Sequence, residues 1–282
     1  MPTDQILFTN ALQIPDLFAS PLETTMRLAF ILFSLMLPVA ILHENIQTIK
    51  DSSDYPGLFI RAILVLGLLL VYQRFFTWIV YGMDLLAKAI LPEEEFKEVV
   101  RQVFQEIGKG KDLGILKFFS IMTTLNFITY AVALALLGVI TWLRFVFLAL
   151  LFVVGPILIG VAVYKEVSQG LRFWVKSLIA VSSWTVVLSI LMKVISVMNL
   201  TSIYLPQETN TASVFAANIL FILLFISVPI IAQQITSGGT LSGLGSAVIG
   251  IGTAFIAKTI TSQRPRFKKY EAGAKSKQGG YK

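Results

Sequence analysis

Residues 118–164 read FFSIMTTLNFITYAVALALLGVITWLRFVFLALLFVVGPILIGVAVY, and Arg144 is their single charge. An α-helix rises about 1.5 Å per residue, so one helix over this stretch would run roughly 70 Å. A bilayer core is only about 30 Å thick. The length therefore predicts two membrane spans, 118–140 and 145–163, joined by a tight turn at Thr141, Trp142, Leu143 and Arg144. Trp and Arg suit a membrane–water boundary. Gly155 and Pro156 then fall inside the second of these spans, where they are expected to kink or break it.

The rest of the chain agrees with that class. Apolar residues make up 56% of the 282 residues, charged residues 14%, and the mean hydropathy is +0.78. Soluble domains carry about a quarter charged residues. A soluble fold with so little polar surface would not cover itself. The expected fold class is an all-α integral membrane protein, with about six transmembrane helices, one amphipathic helix and one Gly-rich segment.

Working outward toward the N-terminus, residues 92–108 form the one segment with a soluble-helix pattern. Phe96, Val99, Val100, Val103, Phe104 and Ile107 make an apolar stripe at helical spacing. Pro92 with Glu93, Glu94 and Glu95 suits its start, and Gly108 its end. It is read as lying on the bilayer or on its own domain, or as a docking lever for a partner. Before it, a span over 58–80 follows a turn at Asp54, Tyr55, Pro56 and Gly57. The helical pattern of that span continues toward Ile90 and carries Asp84 and Lys88 out of the membrane. The first span covers 26–42 and contains Pro38, with His43 and Glu44 beyond its end. Residues 1–25 hold Asp4, Asp16 and Glu23 but no Lys or Arg, which argues against a cleavable signal and favours an interfacial segment.

Toward the C-terminus, a span over 173–198 carries Ser182, Thr185, Ser189, Lys193 and Ser196 on one face. Such a polar stripe should meet protein or water rather than lipid. Lys193 either snorkels to the interface or has a role within the bundle; Arg74 and Arg144 are read as interfacial. A sixth span covers 213–231 and contains Pro229. Residues 238–260 crowd Gly238, Gly239, Gly243, Gly245, Gly250 and Gly252, which permits close backbone approach. The segment fits a re-entrant loop, a packed helix or a seventh span. The polytopic domain is thus 26–262. The tail, 263–282, carries seven of the basic residues against Glu271. Lys and Arg counts near the span ends put this tail in the cytoplasm if six spans cross and 238–260 does not.

Chemistry is sparse. There is no Cys, and His43 is the only His, so no metal-ligand spacing arises. Glu93, Glu94 and Glu95 fit a helix start better than an acid–base site. The Gly-Lys-Gly-Lys run at 108–111 lacks the spacing of a phosphate-binding loop. No catalytic residue and no cofactor is expected.

Between residues 147 and 257 the chain resembles the TrbL family of polytopic inner-membrane subunits of type IV secretion and conjugation systems. The resemblance rests on an apolar stretch closing in Gly155 and Pro156, a short polar turn, Phe173 and Trp174 opening a long span, a span with Pro229, and a Gly-rich stretch from Gly238 and Gly239. The turn Tyr164, Lys165, Glu166 departs from the family, lacking the Pro or Thr-Arg often seen there. The resemblance implies a channel or scaffold subunit, in several copies, in the bacterial cytoplasmic membrane. Its implied neighbours are pilin, a pilus-tip protein, a bitopic assembly protein and cytoplasmic ATPases, and its implied cargo is protein or a protein–DNA complex. Two other readings compete: a secondary transporter or small-solute channel, and a membrane anchor of another machine.

Overall fold

A computed structural model describes residues 13–48, 54–96, 98, 121–197 and 211–237. Every regular element among them is helical: α1 (Ile14–Leu17), α2 (Ala19–Thr48), α3 (Tyr55–Leu70), α4 (Tyr72–Ile90), α5 (Ile121–Val161), α6 (Ser168–Ser182), α7 (Trp184–Val197) and α8 (Thr211–Ser237). A single 3-10 turn, Lys165–Val167, leads into α6. Among the described residues, four apolar stretches are long enough to cross a membrane: Ala19–Gln47, Ala131–Val161, Lys165–Val197 and Phe215–Ser237. The pair α3 and α4 makes a fifth if the two are taken together. The protein is therefore a helical, multi-pass membrane protein.

Helix α5 is the axis of the bundle, and α2, α3, α6 and α8 all pack on it. It corrects the first expectation, because the chain stays helical through Thr141, Trp142, Leu143 and Arg144. Its 41 residues span about 60 Å. Two hydrophobic clusters divide its length. One gathers Leu148, Phe152 and Ile159 of α5 with residues of α1 to α4 and α6, including Leu22, Val65, Tyr72 and Trp174. The other gathers Ala133 and Ile140 of α5 with Ala87, Trp184, Leu188, Phe221 and Phe225.

The second expected span is also corrected. It is two helices that meet at Val71 with a bend of 74°. The reason lies in their faces. Leu58, Val65 and Leu69 are the buried residues of α3. Tyr72, Phe76, Val80, Asp84 and Ala87 are those of α4, at steps of four and three; α4 packs on α6 and α7, and Tyr72 and Phe76 reach Phe152 of α5. Each helix follows its own buried stripe, and the chain turns between them. At the start of α3 the Asp54 carboxylate accepts the Gly57 N–H at 3.0 Å, so the expected turn is a helix cap.

Helix α2 starts at Ala19, earlier than the expected 26, and runs through Pro38. Ile14, expected in an interfacial segment, is buried in the first cluster. The α2–α5 crossing is close at Gly160, where a Cβ would come within 2.5 Å of the Ala29 carbonyl oxygen. The expected fifth span lies within one stretch, Lys165–Val197, in which α6 and α7 meet at Ser183 and the backbone ladder continues, Ser183 N–H to the Ile179 carbonyl and Val187 N–H to the Ser183 carbonyl. Of the amphipathic stretch 92–108, residues 93–96 are helical and Phe96 is buried in the second cluster. Residues 97 and 99–108 of that stretch lie outside the described residues. So do 238–260, with Gly238, Gly239, Gly243 and Gly250, and the basic tail.

Candidate functional site

Two polar constructions stand out in this apolar bundle. The first surrounds Pro156. A proline has no N–H, so inside a helix it leaves the carbonyl four residues earlier without its usual donor. Here that carbonyl belongs to Phe152, whose side chain is fully buried. The Tyr72 hydroxyl donates to it at 2.7 Å. The neighbouring Leu151 carbonyl accepts from the Trp174 indole N–H at 2.9 Å and from Tyr72 at 3.2 Å. Two side chains from α4 and α6 thus occupy the place where a proline opens the α5 ladder, and α5 remains a helix through it.

Gly155 makes room for them. A Cβ there would collide with the Tyr72 hydroxyl and come within 2.7 Å of the Trp174 ring. The Tyr72 ring lies 5.8 Å from both Phe152 and Trp174, and Phe76 lies 4.8 Å edge-on to Phe152. Gly155, next to Pro156, and Trp174 further along the chain meet in one contact. Phe173 is not part of it; it is 73% exposed and points away. Pro229 sits within α8, half-buried and away from this contact.

The second construction is a charged layer between the two hydrophobic clusters. Asp84 of α4 follows Val80 of one cluster and precedes Ala87 of the other. Arg144 of α5 likewise lies between Ile140 and Leu148. Their side chains meet at 2.6 Å with residue exposures of only 3% and 5%. The Thr185 hydroxyl donates to the same Asp84 oxygen at 3.0 Å and lies 3.2 Å from the Ser182 carbonyl. Both residues lie beside Ser183, where α6 passes into α7. The second Asp84 oxygen and the Ser182 hydroxyl are buried with no hydrogen-bond partner among the described residues. This places Arg144 inside the protein, correcting its expected position at an interfacial turn. Asp84, expected beyond the membrane, is its partner.

The polar stripe therefore divides. Ser182, Thr185 and Ser189 are buried against protein. Lys193, at its far end, is part-exposed and pairs with Glu95 at 2.5 Å, tying α7 to the 93–96 turn. Lys88 and Glu93 add a looser pair at 3.6 Å beside it. Arg74 is exposed at the start of α4. Elsewhere, the buried Glu44 accepts the Asp54 N–H at 2.8 Å and lies 3.6 Å from Arg61, closing the far end of the α2–α3 hairpin. Among the described residues, no three His, Cys, Asp or Glu side chains gather into a group able to hold a metal.

Sequence reasoning missed Tyr72, Phe152 and Asp84. A signal existed for two of them. The spacing Tyr72, Phe76, Val80, Asp84 puts the acid and the tyrosine on the same stripe as the apolar residues. Comparison with protein-family models, with curated proteins and with solved structures finds no match.

Proposed function

We propose that the chain is a channel or scaffold subunit of a type IV secretion or conjugation apparatus in the bacterial cytoplasmic membrane. It would act as several copies, beside pilin, a pilus-tip protein, a bitopic assembly protein and cytoplasmic ATPases. Its contribution is architectural: it supports pilus assembly and the passage of protein or protein–DNA substrates. The observation that supports this reading is the close approach of Trp174 to Gly155, next to Pro156. These residues carry much of the resemblance to the TrbL family, and Gly155 and Trp174 meet at one place in the bundle.

The topology that goes with this reading differs from the sequence expectation, because a single α5 removes one crossing. If α2, the α3–α4 pair, α5, α6–α7 and α8 each cross once, residues 97–117 and the basic tail share a side only if 238–260 also crosses. That arrangement puts Lys97, Arg101, Lys109, Lys111, Lys117 and the tail in the cytoplasm and leaves Lys165, Arg172 and Lys176 outside.

One observation favours a second reading, a secondary transporter. The Asp84–Arg144 pair is buried within the bundle, and ionisable groups inside a membrane domain are common in ion-coupled transport. Inactivating the gene in its host separates the two. Loss of substrate transfer and of surface pili, with solute uptake unchanged, supports the secretion reading. Transfer at the normal rate in the null strain sinks it, and a defect in solute accumulation would put the transporter in its place.

A further inference from the structure

A cleft of about 360 Å³ opens on the surface where the start of α2 faces the α3–α4 elbow. That volume lies in the range of ligand sites, roughly 300–1,000 Å³. Leu22, Met26, Leu69 and Leu70 give it an apolar floor, and Glu23 and Gln73 lie on its rim. The Glu23 carboxylate accepts from Arg27 at 2.6 Å, and both side chains are mostly exposed. The rim carboxylate thus has a guanidinium beside it, one turn further along α2.

The surroundings select the occupant. Helix α2 belongs to an apolar stretch able to cross the membrane, Ala19–Gln47. From Glu23 to Glu44 the helix rises about 30 Å, the thickness of a bilayer core. Glu23 therefore sits at headgroup depth, with the cleft floor beside it at the start of the acyl region. A phospholipid places a charged head directly over an apolar chain. A headgroup carrying both signs matches Glu23 on the rim with Arg27 paired next to it, whereas a purely anionic headgroup would meet Glu23 unfavourably.

We propose that this cleft binds an aminophospholipid of the phosphatidylethanolamine class. Its acyl chain lies on Leu22, Met26, Leu69 and Leu70, its ammonium on Glu23 and its phosphate on Arg27. A primary ammonium donates hydrogen bonds to a carboxylate; the quaternary ammonium of phosphatidylcholine has no N–H to give, and phosphatidylglycerol has no cation. Both ionic contacts are charge-assisted, and losing one lowers affinity by about tenfold. The inference depends on the membrane location of the bundle and is independent of the secretion reading.

The test is native mass spectrometry of the full chain extracted in mild detergent and titrated with phosphatidylethanolamine, phosphatidylcholine and phosphatidylglycerol. Retention of phosphatidylethanolamine over the other two is expected. Ala19 lines the cleft from an exposed position, so Ala19→Phe fills it without entering either core, and this variant should lose the retained lipid. Glu23→Gln should keep a lipid but lose the headgroup preference. Equal retention of the three lipids by the wild type overturns the proposal. So does unchanged retention in Ala19→Phe, or a wild-type chain that keeps no lipid because another part of the chain fills the cleft.

Discussion

The Tyr72 hydroxyl and Pro156 lie in different helices, yet the geometry makes each the reason for the other. Changing Tyr72 to Phe removes one oxygen and leaves the ring packing on Phe152 and Trp174 in place. The Leu151 carbonyl keeps its bond from the Trp174 indole, but the Phe152 carbonyl loses its 2.7 Å donor. Pro156 supplies no N–H to replace it, and lipid supplies none either. A buried polar group left unsatisfied costs about 1–3 kcal/mol, and the variant should be destabilised by that amount. Pro156→Ala restores an N–H four residues after Phe152, so in that background the same Tyr72→Phe change should cost well under half as much. A double-mutant cycle isolates the difference as a coupling free energy of about 1–2 kcal/mol. Reversible unfolding in mixed micelles, followed by tryptophan fluorescence, measures all four corners. If Tyr72→Phe costs the same with and without the proline, to within about 0.5 kcal/mol, the hydroxyl is not compensating for Pro156 and the reasoning fails.

Three further outcomes are expected. Gly155→Ala forces a methyl group against Tyr72 and Trp174 and should cost about 1–3 kcal/mol; an unchanged unfolding midpoint would mean that α4 and α6 are not held against α5 there. Asp84→Leu or Arg144→Leu alone should cost about 3–5 kcal/mol by leaving one buried charge, whereas the double change should recover most of it; a double variant as unstable as the sum would contradict a simple ion pair. Reporters active only outside the cytoplasm should be silent after Asp112 and after Lys282, and a signal from either position alone would refute a crossing at 238–260 under the proposed topology.

Much of the helical content was legible because long apolar runs have few other ways to satisfy a backbone in lipid. The turn assigned to 141–144 failed for an identifiable reason. It treated Arg144 as a charge that must reach water, and its partner Asp84 is sixty positions away. Local pattern carries no information about such a pairing. The bend at Val71 has a similar origin. No Pro or Gly stands at the break, and the direction of each half is set by what α3 and α4 bury. The stripe from Ser182 to Lys193 was visible as a stripe, but its division between a buried layer and a pair with Glu95 depended on where α4 ends. Pro156 was conspicuous from the start. What satisfied the carbonyl it exposed was not, because Tyr72 reads as an ordinary aromatic in apolar sequence.

The charged layer also fixes how far along one another the helices sit. Two apolar helix faces offer nearly the same grease after sliding by one turn, about 5.4 Å, so packing alone discriminates weakly between neighbouring alignments. Asp84 and Arg144 do not tolerate such a slip. Displaced by a turn, each would face the side chains that now belong to Val80, Ala87, Ile140 or Leu148, with its charge uncompensated. Two sliding rods thereby acquire a notch, and α4 can engage α5 at one axial setting only.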